Sequence, residues 1–110
     1  MLVYDQTHTL AKHIKESQEY KEFKEVKEKV FSNPELKTQV EEFEKIRYEE
    51  QLLAMQGEIQ SEEKMKKLQE LYAILVEKPE VKDFFEKQVR FNVMIADINK
   101  IIGESIKDVL

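Results

Sequence analysis

The chain has 110 residues, of which 41% are hydrophobic and 37% charged, with a net charge of -5 and no cysteine. A single ordinary domain of this length buries roughly two-thirds of its unfolded surface, and its acid excess disfavours nucleic acid and anionic membranes as partners. Without cysteine, disulfides, thiolate metal sites, cysteine nucleophiles and cysteine-ligated clusters are excluded for the chain acting alone.

Only two glycines and two prolines occur, too few for the turns of a sheet protein, so mostly uninterrupted helix is expected. Met1-Leu2-Val3-Tyr4-Asp5 lacks the basic flank and apolar stretch of a signal peptide, and the longest clean apolar run is Tyr72 to Val76. No export signal or membrane span is read, and a cytoplasmic location is expected.

Val3, Thr7, Leu10 and Ile14 recur at helical spacing and predict a first helix over residues 2 to 16. Ser17 followed by Gln18 and Glu19 reads as a cap with an acidic first turn, opening a second helix through Tyr20, Phe23, Val26 and Val30 to about Phe31. Asn33-Pro34-Glu35 starts a third: Asn33 can accept from free first-turn amides, Pro34 has no amide hydrogen to leave unpaired, and Glu35 faces the positive helix end. Its stripe of Leu36, Val40, Phe43, Ile46 and Leu53 runs to Gly57, which suits the left-handed position after a helix end.

The stretch from Gly57 to Gln60 connects to a fourth helix, started by Ser61 with Glu62 and Glu63 and carrying Met65, Leu68, Leu71, Tyr72 and Leu75. So short a loop makes the third and fourth helices neighbours. Lys78-Pro79-Glu80 opens the last helix, which is predicted to reach about Val109 because Gly103 alone costs only about 1 kcal/mol. Sliding residues 20 to 44 by 45 positions sets Pro34, Glu35, Lys37 and Glu41 on Pro79, Glu80, Lys82 and Glu86. The fold expected is all-α: a multihelical bundle of about five helices, two helical hairpins plus an N-terminal helix, in one domain over residues 1 to 110, with a long C-terminal helix.

Catalytic equipment is hard to find. His8 and His13 stand about 140° apart around a helix and do not share a metal, and Asp5-x-x-His8 is one imperfect half of a di-iron motif. Glu49 with Glu50, and Glu62 with Glu63, diverge by about 100° and read as solvated or capping carboxylates. The serines at 17, 32, 61 and 105 stand at expected helix ends or far from any histidine in sequence. No catalytic group, metal or cofactor is expected. Lys21, Lys24, Lys27 and Lys29 alternate with Glu22, Glu25 and Glu28, the pattern of a solvated, mutually paired face.

The last helix is the unusual element. At roughly 46 Å it overruns a compact domain of this size, about 34 Å across. It is apolar over a wide arc that includes Val89, Val93, Met94, Ile101 and Ile106, so one face can pack inward while another meets a second chain. Val81, Gln88, Ile95 and Ile102 repeat every seven residues, as do Phe84, Phe91 and Ile98, the spacing of a left-handed helix pair. Gln88, Asn92 and Asn99 lie on or beside this seam, either paired within it to fix register or at its wet edge. The eight residues Val81, Phe84, Gln88, Phe91, Asn92, Ile95, Ile98 and Ile102 are the candidate self-interface or partner-binding set. Ser17, Asn33, Pro34, Gly57, Ser61 and Pro79 are structural caps and turns.

In the order and spacing of Leu10, Ile14, Ser17, Tyr20 and Phe23, then Asn33-Pro34-Glu35, Met55-Gln56-Gly57-Glu58 and Ser61-Glu62-Glu63, then Pro79, Val81, Asp97-Ile98-Asn99 and Ile101-Ile102, the chain resembles the YlbF/YmcA family of small bacterial regulators, and within it the YheA-like branch. The resemblance covers essentially the whole chain. It implies a helical fold that dimerises or forms higher oligomers. For some relatives it implies a role in competence, sporulation and biofilm development, in a complex that influences RNA processing by an endoribonuclease. That complex is associated with iron-sulfur clusters, and the lack of cysteine here bars carrying cluster ligation over.

The leading functional expectation is a non-catalytic regulator or adaptor that binds other cytoplasmic proteins and itself, as a dimer first and a tetramer second. The alternatives are an RNA-binding module using Lys64, Lys66 and Lys67 with the second-helix lysines, and a small-ligand carrier with a pocket near Arg47, Tyr48 and Arg90. Against the latter, Arg47 and Arg90 read as arginines that lay their stems along the core and pair with carboxylates.

Overall fold

A computed structural model describes residues 1–59 and 61–110, and Gln60, the end of the expected connector, lies outside the described residues. Five α-helices follow in chain order: α1 (Leu2–Glu16), α2 (Gln18–Phe31), α3 (Pro34–Met55), α4 (Glu62–Leu75) and α5 (Pro79–Ile106). A short 3-10 turn, Lys107–Val109, continues α5. Among the described residues there is no strand, so the all-α expectation holds, and α5 runs through Gly103 without a break.

Local chemistry accounts for the helix ends. Between α1 and α2 the helix is interrupted at Ser17 alone, whose backbone is extended. Its Oγ accepts from the Tyr20 amide at 3.2 Å, and its hydroxyl donates back to the Ile14 carbonyl, so one side chain serves both helices. Asn33 Oδ1 accepts from the amides of Glu35 and Leu36 at 3.1 and 3.3 Å, with Pro34 as the first helical residue of α3. At the other end Gly57 has φ of 74°. The Glu58 amide donates to the Leu53 carbonyl at 2.9 Å and the Gly57 amide to that of Ala54 at 3.1 Å, the double closure of a Schellman ending. Ser61 Oγ accepts from the Lys64 amide at 3.3 Å to begin α4.

The chain packs as two compact units: Glu28–Asp83, and Met1–Lys27 with Phe84–Leu110. In the first, α3 and α4 pair around Val40, Phe43 and Leu75, and Val30, Leu36 and Val81 are buried as well. Phe43 meets Tyr72 at 5.9 Å between ring centroids. Lys64 reaches Glu49 at 3.8 Å and Lys67 reaches Glu42 at 3.4 Å. Both pairs tie α4 to α3 at the surface, where such contacts contribute little. Apolar burial holds this hairpin; its charged rim keeps it in water.

One carboxylate departs from the sequence reading. Glu50 is not solvated: it is only 2% exposed, whereas its neighbour Glu49 faces Lys64. The reason is helical phase, because Glu50 follows Leu36 and Phe43 at intervals of seven and so stands on their inward face.

Candidate interaction face

The second unit is built from α1, the first part of α2 and α5 from Phe84 onward. Its centre is aromatic. Phe23 meets Phe84 at 5.5 Å and Phe91 at 5.6 Å, Tyr20 meets Phe91 at 6.1 Å, and Phe84 stands edge-on to Phe85 at 5.5 Å. Such tilted pairs stabilise beyond their area by about 0.5–1.5 kcal/mol each. Residues 84 and 91 are two turns apart on α5, and residues 20 and 23 one turn apart on α2, which is why these four rings converge.

Beyond that cluster the unit leaves much of its apolar surface open. α1 buries no residue at all, and Leu2, Val3, Tyr4 and Leu10 are exposed along it. On α5 the exposed set is Val89, Val93, Ile101, Ile102 and Ile106. Two open grooves follow. One, of about 490 Å³, lies along α5 between Val89 and Ile101 and has Glu19, Arg90 and Asp97 at its edges. The other, of about 470 Å³, lies between α1 and Ile102 and is walled by Leu2, Val3 and Leu10. A third, smaller hollow of about 250 Å³ has the rings of Tyr20, Phe23 and Phe91 with Lys24 and Lys27 around it.

The eight candidate interface positions fall into different environments. Val81 and Phe84 are fully buried within the chain, and a side chain with no accessible surface has none to give to a second chain. Gln88, Phe91, Ile95 and Ile98 are half-buried, and Asn92 is exposed, as is Ile102, so the series emerges from the core as α5 proceeds. The wide apolar arc of α5 thus resolves into an inward face through Phe84 and Phe91 and an outward one through Val89, Val93 and Ile101. The seven-residue repeat on its own did not distinguish the two faces. The signal that does is the pair of charges, Arg90 and Asp97, set among the outward apolar residues.

Each arginine has a partner within its own unit. Arg47 lies over the Phe43 ring, 5.4 Å from its centroid, and reaches Glu44 at 3.9 Å. Arg90 reaches Glu22 at 3.8 Å, with its side chain largely in solvent rather than laid into a core. His8 and His13 are both exposed on α1, and among the described residues no group of three or more histidines, cysteines or carboxylates is placed to hold a metal. Nor is any helix among them long and apolar enough to cross a membrane.

Residues 3–107 match the family described as control of competence regulator ComK, YlbF/YmcA. The chain belongs to this family. Relatives of similar length include a UPF0342 protein of Symbiobacterium thermophilum, 34% identical over 94% of this chain and 93% of the other. Another is a UPF0342 protein of Caldicellulosiruptor bescii, 35% identical over 96% and 88% respectively. Among solved structures, a protein of unknown function (DUF964) from Bacillus stearothermophilus superposes with a TM-score of 0.78, covering 99% of this chain and 96% of that one. At 13% identity that likeness speaks for the fold alone. The family is linked to control of a competence regulator, and the matches point to no enzyme family.

Proposed function

We propose that this chain is a non-catalytic regulator or adaptor of the cytoplasm, acting as one family domain, which self-associates through the outward face of α5 together with α1 and binds other proteins in that state. The observation that carries this reading is the exposed apolar surface of α1 and α5. Leu2, Val3, Tyr4 and Leu10 of α1 and Val89, Val93, Ile101, Ile102 and Ile106 of α5 are all exposed on this one unit. A clustered apolar surface of this kind marks a site of protein–protein contact. A dimer is the simplest assembly that would cover it, and a tetramer would use both large grooves.

Family membership supports a part in competence control, and the sequence resemblance extends the reading to sporulation, biofilm formation and RNA-processing complexes. In each of these the chain would act by occupying a surface on another protein rather than by turning over a substrate. Light scattering across a dilution series tests the central step. The expected result is a mass of twice the 13.2 kDa chain or a higher multiple, held to micromolar concentration; a monomer throughout would overturn it.

A further inference from the structure

The outward groove of α5 carries two charges whose spacing matters. Arg90 and Asp97 are seven residues apart, hence on one helix face and about 10 Å apart along the axis, with Val93 and Met94 between them. Arg90 is largely exposed and reaches Glu22. Asp97 makes no ion pair within the chain among the described residues. Resting on the self-association proposed above, we propose that two chains pair their α5 helices antiparallel about a two-fold axis between Val93 and Met94, so that Arg90 of each chain meets Asp97 of the other.

Symmetry drives the argument. In a two-fold interface, if one residue meets a second, the second meets the first. A parallel pair in register sets Arg90 against Arg90 and Asp97 against Asp97, two like-charge contacts that oppose association. Antiparallel pairing about the midpoint turns both into opposite-charge contacts. It also sets Val93 against Met94 and Val89 against Ile98, twice each, and opposes the two helix dipoles. A register one turn to either side leaves the guanidinium facing Met94 or Ile101. Arginine offers five donors in a planar fork, so Arg90 holds Glu22 and the second chain's Asp97 together. Away from this central stretch the axes of crossed helices diverge, and these few positions decide the register.

Charge exchange tests it. Arg90→Glu or Asp97→Arg alone sets like charges at both symmetry-related sites, and is expected to raise the dimer dissociation constant about tenfold or more, read by sedimentation equilibrium with helicity checked by circular dichroism. The chain carrying both exchanges, made in a Glu22→Gln background so that no own-chain carboxylate faces position 90, is expected to return to within about threefold of that background, because the interchain pairs are restored with reversed sign. A second measurement uses the absence of native cysteine. Val93→Cys is expected to form an interchain disulfide on mild oxidation, since its two copies lie about 1.5 Å apart along the axis, whereas those of Ile106→Cys lie about 38 Å apart and stay single. A stable dimer in which the double exchange brings no recovery, or in which Ile106→Cys links instead of Val93→Cys, overturns this register and leaves self-association standing. A chain that is monomeric at every concentration removes both.

Discussion

Asn33 shows how far a single side chain determines local structure. Its carboxamide oxygen accepts from two amides at the start of α3, and no third amide competes for that oxygen because Pro34 has no amide hydrogen. Asn33→Ala is expected to lower stability by about 1 kcal/mol, measured as a reduced midpoint in urea unfolding with an unchanged slope. This feature is legible from three consecutive residues, as is the ending at Gly57, because both depend on backbone groups a few positions away. Glu50 is the opposite case. Its local neighbours are charged and suggest solvent, and only its phase with Leu36 and Phe43 reveals the burial. A carboxylate on an apolar stripe has to be read at the period of the helix rather than from the residues beside it.

At the scale of elements, all five helices are visible in the spacing of apolar residues and in the start signals between them, since periodicity is imposed by burial and burial is what the pattern records. What the pattern does not carry is which of two apolar faces a helix turns inward. α5 has both: Arg90 and Asp97 mark the outward one, and the aromatic contacts of Phe84 and Phe91 with Phe23 fix the inward one. α1 poses the same problem more sharply. Its amphipathic pattern matches that of a packed helix, yet none of its residues is buried. Isolated helices of about 15 residues are marginal in water, so α1 is expected to exchange its amide hydrogens quickly in dilute solution. Hydrogen exchange followed at rising protein concentration should show protection of residues 2–16 growing with assembly. Protection independent of concentration would mean that α1 is held by its own chain.

For the whole molecule, the decisive balance is between a net charge of -5 and an apolar surface left open on one unit. Like charges keep separate chains apart in solution, whereas burial of the apolar grooves along α5 and α1 would favour the association proposed above. The exposed stripe of Val89, Val93 and Ile101 therefore has a bearing on how the protein responds to its ionic surroundings. Added sodium chloride screens the repulsion between chains and costs only two ion pairs, whereas sulfate strengthens apolar burial by being excluded from the surface. Assembly should accordingly hold or tighten as salt rises, most of all in sulfate, and gel filtration in a sulfate gradient would record it. A protein that worked by holding RNA would behave in the reverse sense, losing affinity steeply with each increment of salt. Ionic strength thus separates the two kinds of partner without knowledge of either, and a cell that concentrates salt under stress would favour the assembled form.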